Sequence, residues 1–152
     1  MTNRWLDSQA HHTRIKANPL LASWIERALA LPKVFESRLS FAIVAYRHER
    51  HEQNFDHKLY NPPVGRGHEI VHHLRVNIIG AAYVGRIGNI QQAWQQWCDE
   101  DHKVGYSFGW TSDGEFLGLT GPQARRLLNF HCYTRPFLTA LEIAHRLREG
   151  GL

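Results

Sequence analysis

The chain has 152 residues, of which 43% are hydrophobic and 21% are charged. This length and composition predict one globular domain and exclude wholesale disorder. No apolar run approaches the roughly 20 residues of a membrane-spanning helix, and the first residues lack the apolar core of a secretion signal. The two cysteines, Cys98 and Cys132, are too few for a disulfide framework. We therefore expect a cytoplasmic protein without a membrane segment.

The net charge is positive and comes mainly from arginine. Eighteen Lys and Arg side chains face fourteen Asp and Glu, and fourteen of the eighteen are arginines. Because a guanidinium group binds phosphate or carboxylate in bidentate geometry, this excess favours nucleic acid or an acidic protein as partner. The cations are scattered along the chain, and a role in solubility alone is the alternative interpretation.

The first half of the chain predicts a lead-in, a helix, a strand and a loop. Residues 1–17 carry few apolar groups and are expected to be irregular. Asn18 as cap and Pro19 in the first turn predict the start of a helix. Residues 39–46 are apolar and rich in β-formers, which predicts a buried strand. A long polar loop is expected over residues 47–67.

Residues 69–79 fit two secondary structures. As a strand, the segment alternates apolar and polar side chains from Leu74 to Ile78, and His73 lies partly exposed on the polar face. As a helix, the segment leaves Val76 pointing away from the apolar side. The β-branched residues and the preceding Gly/Pro-rich loop favour the strand.

The second half predicts three helices and a hairpin. Asn89 and Thr120 stand at the N-cap positions of two helices, and Pro136 is expected to open the last one. Between the first two helices, apolar residues alternate on both sides of an Asp-Gly pair in residues 106–119. This pattern predicts a β-hairpin with a two-residue turn.

The order of these elements is typical of an α+β protein. We predict an antiparallel sheet of about four strands with helices packed mainly on one face. No internal repeat, low-complexity segment or change of composition divides the chain. Residues 18–152 are therefore expected to form a single α+β domain that follows the lead-in at residues 1–17.

His68, Glu69 and His72 form the string H-E-x-x-H. On a helix, the two histidines lie one turn apart and can bind one zinc ion, while the glutamate acts as general base of a hydrolase. In a strand, the histidines are roughly 13 Å apart and cannot share a tetrahedral ion. The extended form of the motif also fails, because Arg75 and Ile78 occupy its last two positions. A zinc-dependent hydrolase is therefore the alternative function, and zinc the alternative cofactor.

The string from Arg126 to His131 matches an Arg-x4–6-His pattern. Over these six residues the chain resembles the small, all-helical HEPN-type ribonucleases. The resemblance implies catalysis by this arginine and this histidine on a helical scaffold. The strands predicted above contradict an all-helical fold.

Arginines recur in the last third of the chain, interleaved with aromatic residues. Arginine holds phosphates, and aromatic rings stack on bases. We therefore predict a non-catalytic binding or accessory domain that contacts nucleic acid or an acidic protein through an arginine-rich helical face. No cofactor is expected with this function, and the oligomeric state stays open. The residues of this face are Arg125, Arg126, Arg135, Arg146 and Arg148.

Overall fold

The computed structural model describes residues 13–47, 49, 58–59, 69–100 and 116–152. Most of the predicted lead-in, most of the predicted long loop and the first strand of the predicted hairpin lie outside these residues. Within the described part, the predicted α+β class is confirmed, since five α-helices and one π-helical segment combine with a mixed sheet. None of the helices found there has the length and apolar character needed to cross a bilayer.

The first helix, α1 (Pro19–Ala30), begins where the sequence predicts it. The Asn18 side chain accepts a hydrogen bond from the Leu21 N–H at 3.0 Å. One face of the helix is buried because its apolar residues recur at a spacing of three and four. These buried residues are Leu21, Ala22, Ile25 and Ala28.

The sheet differs from the prediction in strand number and direction. Its strands are β1 (Val34–Glu36), β2 (Ile43–Tyr46), β3 (Lys58–Leu59) and β4 (His73–Val76), in the order β1-β4-β2-β3. Strand β1 pairs parallel with β4, whereas β2 is antiparallel to β4 and to β3. The sheet is therefore mixed, with three main strands and a two-residue edge, and the antiparallel prediction is wrong. Local patterns predict strands but do not determine which distant strands pair.

Residues 69–79, for which the sequence favours a strand throughout, contain a strand and the start of a helix. The strand is confirmed at β4, but Asn77 stops it and caps α2 (Ile78–Ile87). The Asn77 side-chain oxygen accepts hydrogen bonds from the N–H groups of Ile79 and Gly80, at 3.0 and 3.1 Å. Helix α2 is missed by the sequence because its first eight residues are all buried, so this part has no polar face to reveal its period.

Three further helices follow in the described residues. Helices α3 (Ile90–Asp99) and α4 (Gly121–Leu128) begin after the predicted caps, Asn89 and Thr120. Residue 116 is helical, and residues 117–119 form a turn and an irregular residue, so the predicted second hairpin strand is wrong.

The end of α4 continues into a π-helical segment, Asn129–Tyr133, and the last helix is α5 (Ala140–Glu149). Pro136 was predicted to open the last helix, but α5 begins four residues later. Thr139 caps it, in a capping box with Glu142. The reciprocal hydrogen bonds of this box satisfy two free N–H groups, which is why the helix begins there.

Helix α2 is in backbone contact with its neighbours through two glycines. A Cβ atom on Gly85 would lie 1.6 Å from the carbonyl oxygen of Trp24 in α1, and one on Gly80 would lie 1.8 Å from that of Ala42. Only glycine fits at such an approach. The core is therefore centred on α2, between α1 and the sheet, and the polar features described next lie around it.

Candidate functional site

The H-E-x-x-H string does not form a helix over its described residues. Glu69, Ile70, Val71 and His72 are irregular, and β4 begins at the next residue. The Gln91 side chain accepts from the Val71 N–H at 2.9 Å and donates to the Glu69 carbonyl at 2.8 Å. This amide side chain satisfies backbone groups that a helix would have used.

The motif glutamate has an ionic partner. The Glu69 carboxylate lies 3.2 Å from the Arg47 guanidinium. His68 lies outside the described residues. In the part of the chain that the structure describes, no three His, Cys, Asp or Glu side chains form a group that could hold a metal ion.

His72 is half-buried, and His73, predicted to be partly exposed, is buried at 1% exposure. The ring of His73 stacks on Tyr46 at a centroid distance of 4.5 Å, because the two residues are paired across β2 and β4. The Nδ1 atoms of His72 and His73 lie 2.9 Å apart, so one of them carries the proton of this contact and the other accepts it.

A buried imidazole and a carboxylate meet where the π-helical segment faces β1. His131 is wholly buried, and its Nε2 lies 3.0 Å from Oε2 of Glu36. Its Nδ1 accepts the N–H of Ile78, the first residue of α2, at 3.2 Å. Because Nδ1 accepts, Nε2 carries the proton and donates to Glu36. We refer to Glu36, His131 and Cys132 as the Glu36 cluster.

Glu36 also binds the start of α5. Both of its carboxylate oxygens lie 3.3 Å from the Ala140 nitrogen, and Arg38 is 3.7 Å away. Burial by itself would raise the pKa of Glu36. The hydrogen bond from His131, the Ala140 N–H and the positive charge of Arg38 outweigh burial and lower the pKa below its ordinary value of 4.5.

In the Glu36 cluster, the thiol of Cys132, the imidazole of His131 and the carboxylate of Glu36 follow one another in this order. Its Sγ lies 3.3 Å from Nδ1 of His131 and 3.7 Å from the carbonyl oxygen of Leu39. Burial raises the pKa of the Cys132 thiol to about 11, with Arg38 opposing and Glu36 adding to the rise. The thiol therefore stays protonated, and the imidazole nitrogen beside it already accepts a backbone N–H. These are the features of a structural cysteine.

The Arg126–His131 pair does not form a shared site. Arg126 lies 5.3 Å from the centroid of the Phe130 ring, and its Nη1 donates to the Thr13 hydroxyl at 3.3 Å. Both ring nitrogens of His131 have partners inside the protein, as described above. The catalysis implied by the HEPN resemblance needs an accessible histidine, which this residue is not.

Arginines and apolar side chains reach solvent together above the Glu36 cluster. The guanidinium carbons of Arg38 and Arg135 lie 5.8 and 5.7 Å from the centroid of the Phe137 ring. Burial raises the pKa of the Tyr133 hydroxyl, Cys132 raises it further, and the nearby positive charge of Arg125 lowers it. We call this region the arginine–aromatic surface, and it consists of Arg38, Leu39, Arg125, Tyr133, Arg135 and Phe137.

Three exposed apolar side chains belong to this surface. Leu39, Tyr133 and Phe137 are 42%, 45% and 36% exposed. They are three of the seven large hydrophobic side chains that are exposed in the described part of the chain. Aromatic residues and arginine are the types that are enriched where proteins contact a partner.

The five predicted arginines occupy several environments. Arg125 and Arg135 belong to the arginine–aromatic surface, and Arg146 is exposed further along α5. Arg126 is bound to Thr13, and Arg148 is paired with Glu26 and donates to the Ser23 hydroxyl on α1.

Sequence reasoning missed the contribution of residues 38 and 39 to this surface. They lie just after β1, almost 100 positions before Phe137, and contacts of Glu36 with His131 and of the Leu39 carbonyl with Cys132 bring the two segments together. No local pattern in the sequence signals that approach.

Comparison of the chain with protein-family models, with curated proteins and with solved structures gives no match.

Proposed function

We propose that this protein is a non-catalytic domain that binds single-stranded nucleic acid through the arginine–aromatic surface. The observation that carries the proposal is the exposed Phe137 ring, which holds the guanidinium groups of Arg38 and Arg135 within 6 Å of its centroid. Two cations that share one ring attract an anion more strongly than either does alone.

Phosphate is the anion that best suits this arrangement. A guanidinium group presents several N–H donors in one plane and binds phosphate oxygens in bidentate geometry. Arg38 keeps 39% of its side chain exposed, and its distance of 3.7 Å from Glu36 leaves its donors available for a closer partner. Arg135 is exposed as well. The contacts of both residues with Phe137 limit their side-chain motion before the partner arrives.

Unpaired bases account for the apolar part of the surface. Tyr133 and Leu39 are exposed close to the arginines. The sugar–phosphate backbone of a duplex presents no exposed base against which these two side chains could pack. In single strands, bases stack on exposed aromatic rings, with about 1–3 kcal/mol per base. The combination of guanidinium groups and apolar side chains favours single strands over duplexes for this reason.

A non-catalytic role is supported by the state of the thiol and the imidazole in the Glu36 cluster. The Cys132 thiol has a pKa of about 11, and His131 is fully buried with both ring nitrogens bonded. A nucleophile or general base needs a pKa matched to the working pH and access to the substrate.

The proposal is tested by fluorescence anisotropy with labelled oligo-dT and oligo-U of about 20 nucleotides. We expect binding at low salt that weakens steeply as salt rises, because phosphate contacts release counterions. A duplex of equal length is expected to bind more weakly. If single strands are not bound at 50 mM salt, the proposal is wrong, and an acidic protein becomes the better partner for the same surface.

Two charge-matched variants localise the contact. Arg135→Gln removes a cation beside Phe137, and Arg146→Gln removes an exposed cation elsewhere on the C-terminal part. We expect Arg135→Gln to weaken binding and to reduce the salt slope by about 0.7, the value for one phosphate contact with a single strand. Arg146→Gln is expected to leave affinity nearly unchanged. Equal losses would mean that affinity follows net charge and not this surface.

A further inference from the structure

We infer that Glu36 is the positioning residue of the arginine–aromatic surface and holds in place both ends of the segment that carries Arg135 and Phe137. The part of this inference that concerns nucleic-acid binding rests on the proposed function. Glu36 itself is not part of that surface. It acts through His131 at the start of the segment and through Ala140 at its end.

The geometry behind this inference is one carboxylate with donors from both ends of a loop. His131 in the π-helical segment donates to Oε2 at 3.0 Å, and the Ala140 N–H at the start of α5 lies 3.3 Å from both oxygens. The residues between these two donors form no α-helix or strand. Glu36 therefore ties both the π-helical segment and the start of α5 to strand β1.

Two backbone hydrogen bonds also hold the intervening loop. The Thr134 N–H donates to the Asn129 carbonyl at 2.8 Å, and the Leu138 N–H donates to the Phe130 carbonyl at 2.9 Å, so the second bond joins the two ends of the loop. Arg135 and Phe137 lie between or beside these two bonds. If the ends move apart, these two side chains lose the position that brings them next to Arg38.

Glu36→Gln separates positioning from charge. Glutamine keeps the shape of the side chain, but its NH2 group replaces one of the two acceptor oxygens beside the Ala140 N–H and cannot accept from it. Its remaining oxygen is uncharged and accepts weaker hydrogen bonds from His131 and Ala140 than the carboxylate does. The variant also removes a negative charge next to Arg38, which by itself would strengthen the binding of a polyanion. Positioning therefore predicts weaker binding, whereas a purely electrostatic role predicts tighter binding.

A matched control lies on the same helix end. Glu142→Gln makes the same change of charge in the first turn of α5, and a capping box accepts glutamine at this position. With oligo-dT, whose bases carry no group that titrates in acid, we expect Glu36→Gln to bind about three- to ten-fold more weakly, because two side chains must be ordered on binding. We expect Glu142→Gln to bind as the parent does or slightly more tightly. If Glu36→Gln, like Glu142→Gln, binds oligo-dT as tightly as the parent does or more tightly, the inference is wrong.

Ala140→Pro is a second variant that tests the positioning role, and it leaves the charge of the protein unchanged. Proline removes the N–H that donates to Glu36, and it is well accepted at the first position of a helix. The preceding Thr139 has φ −73° and ψ 160°, a conformation compatible with a following proline. We expect this variant to weaken oligo-dT binding in the same direction as Glu36→Gln. Unchanged binding in a folded Ala140→Pro protein would overturn the inference.

Amide hydrogen exchange tests the positioning role without any ligand. Residues 134–140 should exchange faster in Glu36→Gln than in Glu142→Gln, while α1 and α2 keep their protection and report that the fold is intact. Equal exchange in the two variants would contradict the positioning role even if the parent binds oligo-dT. Faster exchange without oligo-dT binding by the parent would support the positioning role and reject the proposed function.

Discussion

The contact of α1 with α2 is built differently from the Glu36 cluster and the arginine–aromatic surface beside it, which together we call the corner. Between the helices, Gly85 brings the backbones into direct contact, and the neighbouring side chains are apolar and buried. At the corner, a buried imidazole contacts a carboxylate and a thiol that are partly buried, and the neighbouring arginines and aromatic rings remain exposed.

This difference shows where stability and recognition reside in the molecule. Close apolar packing leaves no space for a partner and makes every added atom costly. A hydrogen-bonded polar corner gains less from burial, but it fixes a loop whose exposed side chains are available for contact. We therefore expect substitutions in the first region to affect folding and those at the surface of the second to affect binding.

The largest effect is expected from Gly85→Ala at the helix contact. The new Cβ would lie 1.6 Å from the Trp24 carbonyl oxygen, and a backbone atom cannot move aside as a flexible side chain can. We expect a loss of about 3 kcal/mol or more in the free energy of unfolding, measured by urea denaturation. Gly150→Ala, where a Cβ meets no atom within 4 Å, is the control and should be close to neutral. Equal stability of both variants would show that the two helices are not in backbone contact.

At the corner, the reactivity of Cys132 distinguishes a structural cluster from a catalytic one. A thiol pKa of about 11, against an ordinary 9.0, holds the thiolate fraction about a hundredfold lower. Iodoacetamide at pH 7.5 should therefore modify Cys132 slowly in the folded protein and rapidly in urea, as followed by mass spectrometry. Alkylation that is faster in the folded state would indicate an activated nucleophile and would contradict the non-catalytic proposal.

His131→Ala is expected to destabilise the corner, though by less than the glycine substitution destabilises the helix contact. It removes the donor to Glu36 and leaves the Ile78 N–H, which is buried, without its acceptor. An unsatisfied buried group of this kind costs about 1–3 kcal/mol, and thermal unfolding measures it. His145→Ala on the exposed face of α5 is the control, and a loss as large as that of His131→Ala would argue against a specific role of the cluster.

The smallest expected effect is a loss of stability at acidic pH. The folded protein holds the pKa of Glu36 below 4.5, so the unfolded chain binds a proton more readily. The stabilisation is complete above the pKa of the unfolded chain and is lost as the pH falls through the folded pKa. Between pH 6 and pH 3, the parent should therefore lose more unfolding free energy than Glu36→Gln. Parallel pH profiles of the two proteins would mean that Glu36 does not have this lowered pKa.

Several local features could be predicted because their causes lie within a few residues. The starts of α1, α3 and α4 follow from Asn18, Asn89 and Thr120, whose side chains accept N–H groups of the first helical turn. The alternation before Asn77 likewise predicts a strand at β4. In each case, the deciding hydrogen bond or side-chain pattern is local.

The candidate site was predicted only in part, for a physical reason. Arg135 was expected in a binding face, but its neighbour Arg38 and the Glu36 cluster beneath it were not. The contact between Glu36 and His131 joins residues 95 positions apart. Its partners become known only when the chain is folded, because the pattern around either residue contains no information about the other.

By itself, the sequence determined the α+β class, the helix caps and the excess of arginine, since each depends on composition or on neighbours along the chain. The tertiary structure decided the parallel pairing of β1 with β4 and the burial of His131. It also decided which arginines have internal partners and which are presented to solvent. These properties depend on contacts between distant segments, and those contacts form only when burial of the common core brings the segments together.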